Sequence, residues 1–184
     1  MQTCVVAYPE LAPADRAWIE LLRERHDPNF RLVAPHWTLI FPTAATEPAA
    51  IERHVTEVAA GFAPFAFDLR CALVVRDAFS ALTHLFLVPD AGFSQLVRLH
   101  DGLYGGVLAD QLRLDVPFIP HITIGAFDDA HACKAVADRL NQGSLAISGR
   151  VERLSILAVE PERVTLDGTI PLGAAEANHD DSQE

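Results

Sequence analysis

The chain has 184 residues, half of them hydrophobic, a formal net charge of −11 and a single lysine, Lys134. That length suits one domain, or one domain of two lobes, and no run approaches the ~18 apolar residues of a membrane-spanning helix. The acidic balance and the lack of a Lys/Arg cluster exclude a long nucleic acid bound along a basic track, leaving a small ligand or one nucleic-acid end held in a local pocket.

Residues 3–8, "TCVVAY", are β-branched and short and predict a buried strand, with no basic region ahead of a long apolar run that would mark a leader. A cytoplasmic protein with no membrane partner is expected. "APADRAWIELLRERHDP" predicts a helix opened by Pro13 or Asp15, with Trp18, Leu21 and Leu22 at helical spacing and Pro28 closing it. "HWTLIF" reads as a strand stopped by Pro42. A second helix follows, with Thr46 as its N-cap, Pro48 in its first turn, an Ile51/Val55/Val58 stripe and Gly61 as its stop. "FAFDLRCALVVR" and "THLFLVP", separated by a turn at residues 77–80, predict a hairpin. "AGFSQLVRLHDGLYGG" predicts a third helix, and a polar loop then leads to a strand, "HITIGAF". A fourth helix starts at Asp128 or Asp129 and stops at Gly143, and residues 145–161 and 163–172 close the chain as strands. The expected domain spans residues 1–172, with an acidic, flexible tail over 173–184.

Three cysteines (Cys4, Cys71, Cys133) are far apart and form no C-x-x-C pair, which is neither a zinc pattern nor a disulfide framework. Cys4 and Cys71 lie in apolar strand-like runs and are expected to be buried thiols.

The order of elements repeats. Strand, helix, strand, helix is followed by hairpin, helix, strand, helix, which suggests a weak internal duplication with two facing lobes. One short pattern stands at the corresponding place in each half: "PHWTL" at residues 35–39 and "PHITI" at 120–124. Side chains alternate along a strand. His36 and Thr38 therefore share a face, as do His121 and Thr123. Trp37, Leu39, Ile122 and Ile124 take the opposite, helix-packed face. Pro35 and Pro120 lack an N–H, which suits strand entry.

One His-x-Thr on a strand carries little information; two, each behind a proline and in matching positions, carry much more. Two imidazoles across a cleft can act as general base and general acid, since their unperturbed pKa lies near neutrality. Two threonine hydroxyls can donate to an anionic oxygen. Such a set matches a phosphodiester, whose attack and departure take place on opposite sides of phosphorus, and it requires no metal or other cofactor.

The paired motifs resemble the signatures of the two-histidine phosphoesterase superfamily, in its 2′-5′ RNA ligase-like and cyclic phosphodiesterase branch. The 85-residue spacing from His36 to His121 is similar too, and the resemblance covers roughly residues 1–172. It implies an α+β, bilobal, pseudo-duplicated fold with antiparallel sheets lining a central cleft and helices outside. It implies His36 and His121 as acid and base and Thr38 and Thr123 as phosphate contacts. It further implies opening of a 2′,3′-cyclic phosphate on an RNA end or a small nucleotide, with RNA 2′-5′ ligation as the reverse counterpart. Some relatives place an arginine shortly after the second motif; here Gly125 and Ala126 stand there, which favours a small substrate.

Further candidates for the cleft wall are His84 and Phe86, which share a face of "THLFLVP", Tyr8 at the end of the first strand, and Phe118 ahead of the second motif. Tyr8 and Phe118 suit base stacking; each also suits ordinary packing. Arg76 ends its strand, with nothing in the spacing to require a place in the cleft. His26, His54, His100, His131 and His179 are expected to be solvated. Two other readings stay open: a metal-dependent hydrolase built on His36, His84 and His121, which lacks nearby carboxylates and short ligand spacing, and a nucleotide- or phosphate-binding module without turnover.

Overall fold

The computed structural model describes residues 1–173, so all but the first residue of the expected acidic tail lies outside the described residues. The described elements are, in order, β1 (Gln2–Ala7), β2 (Glu10–Leu11), α1 (Pro13–His26), β3 (Trp37–Thr43), α2 (Pro48–Ala60), β4 (Phe65–Arg76), β5 (Thr83–Ala91), α3 (Phe93–Leu103), a 3-10 helix (Gly106–Gln111), β6 (Ile122–Phe127), α4 (Ala130–Gln142), β7 (Ile147–Val151), β8 (Arg153–Glu160) and β9 (Arg163–Pro171). No described helix is long and apolar enough to cross a membrane.

The architecture is α+β and bilobal, with every strand pairing antiparallel. One lobe carries β2-β7-β4-β5-β6 and the other β3-β1-β8-β9, in a single hydrogen-bonded order. The lobes meet along β3 and β6, in register through one residue pair, Trp37 with Ile122. Two helices reach across the lobes. The chain crosses from β1 to β2, so that α1 packs on β6, and α3 follows β5 but packs on β3 as well as on β5; α2 lies under β8 and β9, and α4 under β4, β5 and β6, each in the lobe of the strand it follows. This reciprocity is the structural form of the internal duplication.

Strand exchange also splits the stretch 145–161. Its first part, β7, pairs with β4, whereas β8 pairs with β1 in the opposite lobe. The change of partner falls at Glu152, between the two strands. Two small elements were not foreseen: the two-residue β2, which pairs with β7, and the 3-10 helix in what reads as a polar loop.

Local starts and stops follow the expected chemistry with two departures, of which the first is β3: it runs through Pro42, the expected stop, to Thr43, which pairs with Thr3 of β1. Pro13 and Pro48 stand at the first turns of α1 and α2, where a missing N–H costs nothing. The N-cap of α2 is Glu47 and not Thr46, because the Thr46 hydroxyl is engaged elsewhere and accepts from Gln111 Nε2 at 2.6 Å. Asp129 caps α4 by accepting from the His131 N–H. Gly92 precedes α3 at φ 84°, where a Cβ would lie 2.7 Å from the Phe67 Cβ, so glycine is needed for both conformation and space.

The main core lies between sheet and helices and contains Trp37, Leu39, Ile122 and Ile124, the predicted apolar partners of the two motifs. A smaller cluster on the other face joins Cys4, Val6 and Leu157, with Tyr8, Val33, Val159 and Val164 packed against it. Cys4 is buried, its thiol pushed up to about 12 by loss of water contact, and its S–H donates to the Ile40 carbonyl. Cys71 is only partly buried, contrary to expectation, because it stands next to a register shift in the β4–β5 pairing.

Candidate active site

Each motif histidine stands one residue ahead of its strand, and each is held the same way. His36 Nδ1 lies 2.8 Å from the Ala34 carbonyl, and His121 Nδ1 lies 2.6 Å from the Ile119 carbonyl. A carbonyl only accepts, so Nδ1 carries the proton in both rings and Nε2 keeps its lone pair. The carbonyl belongs in each case to the residue before the proline. Proline, with its fixed φ, thus sits inside a two-residue loop that aims the ring as well as opening the strand.

The Trp37–Ile122 pairing sets the rest. Continuing that antiparallel register by one residue each way places His36 opposite Thr123 and Thr38 opposite His121. All four residues line one cavity of about 440 Å³ between the lobes, and all four are partly exposed.

His121 has an aromatic neighbour on its flank. The Phe86 ring stacks on it at 3.5 Å between centroids, and His84 stacks on the far side of Phe86 at 5.7 Å. The pairing of Phe86 with Thr123 and of His84 with Ala126 brings these side chains to the cavity. A register shift between Leu85 and Phe86 turns Ala126 toward the cavity. A Cβ at Gly125 would instead meet His26 of α1 at 2.9 Å, so that position faces the helix layer.

Electrostatics keep both imidazoles neutral in the free protein. Loss of water contact lowers the His36 pKa first, against the stabilising Ala34 carbonyl. The same cause brings His121 down to about 4, assisted by the nearby His36 and His84 and opposed by the Ile119 carbonyl. The wall carries two guanidinium groups. Arg23 is committed: its Nε donates to Asp27 Oδ2 at 2.9 Å and its Nη2 to the Val33 carbonyl at 2.7 Å. Arg76, at the end of β4, is exposed on the cavity wall.

Of the secondary candidates, His84, Phe86 and Phe118 line the cavity. Tyr8 does not; it packs edge-on behind His36 at 6.2 Å, because its strand lies one beyond β3. His84 is poorly partnered, with Nδ1 buried and without a hydrogen bond among the described residues and Nε2 3.8 Å from Asp77 Oδ1. His100 corrects the expectation of solvation. It is buried on α3 and stacks on Phe118 at 3.7 Å. His54 bonds the Leu103 carbonyl and His26 stacks on Phe127; His131 is exposed, and His179 lies outside the described residues.

The sequence reading missed Arg23 and Asp27. The available signal was a charged residue four positions after Ile19, on the buried stripe of α1, with a carboxylate four positions further on. Among the described residues, no group of three or more His, Cys, Asp or Glu side chains is arranged to hold a metal ion.

A bilobal antiparallel sheet with a His-x-Thr strand at the edge of each half, joined over a cavity, defines a protein of the two-histidine phosphoesterase class. The chain belongs to the 2′-5′ RNA ligase superfamily, whose sequence profile matches residues 9–162. A protein of Bacillus licheniformis named "Putative phosphoesterase" is 27% identical over 136 residues, 72% of this chain and 76% of that one. The fold is similar to that of TT0787 of Thermus thermophilus, with TM-score 0.58, 17% identity and coverage of 94% of this chain and 98% of that one. It is also similar to E. coli LigT complexed with 3′-AMP, with TM-score 0.53, 20% identity and coverage of 93% and 97%.

Proposed function

We propose that the protein is a metal-independent phosphodiesterase that opens a 2′,3′-cyclic phosphate on a small nucleotide. The observation that carries this reading is the Trp37–Ile122 pairing, whose antiparallel continuation sets His36 opposite Thr123 and Thr38 opposite His121, with all four residues lining one cavity. With the phosphate between the rings, one neutral imidazole takes a proton from water as the water oxygen bonds to phosphorus. The other, in its protonated form, gives a proton to the departing ribose oxygen as that P–O bond breaks, leaving a monoester. Thr38 and Thr123 donate to the phosphate oxygens, where charge accumulates in the transition state.

Both rings are neutral in the free protein, so the anionic substrate itself must raise one of them into its charged form. Phe118, stacked on His100 and lining the cavity, offers a flat face for a base, and complex formation with 3′-AMP by LigT fits a nucleotide ligand. Gly125 and Ala126, standing shortly after the second motif where some relatives supply an arginine, and the net charge of −11 both favour a small nucleotide over an RNA end.

The test is a panel of cyclic phosphates incubated with the protein and a chelator, with products assigned by phosphorus NMR. Opening is expected in wild type and a loss of 10²–10⁴-fold in His36→Ala and in His121→Ala, with circular dichroism unchanged. Activity retained in both variants, or abolished by the chelator, would overturn the reading.

A further inference from the structure

A second cavity, of about 630 Å³, opens on the other side of His36. It shares Asn29, Val33, His36, Thr38 and Phe41 with the first cavity, and it lies over β1, β8 and β9. His121 and Thr123 do not reach it. The histidines therefore differ in what they border: His121 faces one chamber, His36 faces two.

The chambers also differ in chemistry. The first holds four phenylalanines and two arginines. The second has a largely aliphatic floor and far wall, built from Val6, Leu157, Val159 and Val164 with Val33 beside them. No Lys or Arg side chain lines it, and its one carboxylate, Glu160, is held by Arg163 at 3.5 Å. A further phosphate would find no Lys or Arg side chain in that lining, which also includes Met1 and Gln2, and a base would find no aromatic face beyond Phe41, at the shared border. A water molecule alone would leave most of that volume unused.

The geometry points to the second chamber as the subsite for an uncharged, aliphatic alcohol group, the half of a phosphodiester that lies on the His36 side of phosphorus. This inference rests on the phosphodiesterase reading and adds the step ahead of ring opening: in a nucleoside 3′-alkyl diester with the nucleoside over Phe118, the ribose 2′-hydroxyl gives its proton to one imidazole as its oxygen bonds to phosphorus, and a protonated His36 gives a proton to the apolar alcohol as that P–O bond breaks, leaving the 2′,3′-cyclic phosphate that the site then opens. Apolar surface placed in such a chamber contributes roughly in proportion to its area.

The experiment is calorimetric titration of the intact protein with 2′-deoxyadenosine 3′-phosphate, its methyl, butyl and octyl esters, a butyl ester ending in a second phosphate, and octyl phosphate. These esters lack the 2′-hydroxyl needed for internal attack. Affinity is expected to rise about two- to fourfold per methylene, and the ester with the second phosphate is expected to bind at least about tenfold more weakly than the butyl ester. Val164→Asp and Val164→Trp, at a half-exposed position on the edge strand β9, are expected to flatten the series without changing affinity for the unesterified nucleotide.

A flat series in wild type, with the unesterified nucleotide still bound, would overturn the subsite and leave the phosphodiesterase reading standing. A gradient that survives in both Val164 variants would also overturn it. Octyl phosphate binding while the nucleotide does not bind would support the apolar chamber and reject the nucleotide half. Failure of every ligand to bind would overturn both.

Discussion

Trp37 and Ile122 are the one residue pair that puts the two lobes of the sheet in register, and each directly follows a cavity histidine. The same contact that closes the sheet therefore aligns the candidate catalytic groups. A slip of one residue along this seam would turn one of the two histidine–threonine pairs toward the helices and bring its neighbour, Trp37 or Ile122, into the cavity.

Trp37 is 1% exposed and packs edge-on to Phe67 at 5.3 Å. Trp37→Ala is expected to cost about 3–5 kcal/mol, read as a lower midpoint in urea unfolding. Its indole Nε1 is buried without a hydrogen-bond partner among the described residues. Trp37→Phe removes that orphan donor along with some volume and should cost less than half as much. A Phe variant as damaged as the Ala variant would contradict this account.

Arg23 is 1% exposed and bridges Asp27 to the Val33 carbonyl, so it ties the end of α1 to the loop that leads to His36. Asp27→Ala is expected to destabilise by about 3–5 kcal/mol, because it leaves a buried guanidinium with one carboxylate, the half-exposed Glu20. Replacing both together, as Arg23→Met with Asp27→Leu, should recover part of the loss in thermal unfolding. Arg23→Lys should not behave as wild type, since an ammonium cannot reach both partners in a planar fork.

His36 and His121 both have folded-state pKa values below the ordinary histidine value, His121 at about 4. Between pH 6.5 and 4 the unfolded chain binds more protons at these positions than the folded one. Stability is therefore full above pH 6.5 and falls as pH is lowered toward 4. Inorganic phosphate seated between the rings favours their charged forms, so its affinity should rise over the same descent. Phosphate titrations at pH 7.5, 6.5 and 5.5 check the trend; affinity independent of pH would contradict it.

Phe86 lies against the His121 ring and helps to keep water away from it. Phe86→Ala should raise the His121 pKa toward the ordinary value, visible in proton NMR as a shifted imidazole titration. The His36 titration should move little, since Phe86 stacks on His121 and pairs with Thr123 across β5 and β6.

The sequence made much of this site legible because the motif residues obey a strict two-residue alternation. Trp37, Leu39, Ile122 and Ile124 are buried as that alternation requires, and His36, Thr38, His121 and Thr123 face the opposite side. Helix starts at Pro13, Pro48 and Asp129 were readable from local chemistry. What stayed hidden depends on distant partners. Tyr8 fell behind His36 and not into the cavity because β1 is one strand removed from the seam. His100 looked solvated on an amphipathic helix, yet the 112–120 segment lays Phe118 on its ring. The switch of lobe at Glu152 is marked in the sequence only by the adjacent charged residues Glu152 and Arg153, within a stretch that otherwise reads as strand.

The reciprocal crossing of α1 and α3 bears on how the chain can be divided. Cut between Gly61 and Pro64, the N-terminal piece would lose β8 from its sheet and the surface that covers α1, while the C-terminal piece would lose α1 and β2. Neither fragment holds a complete hydrophobic layer. The two should be insoluble when made alone and regain structure only when mixed or produced together, like two halves of a clasp.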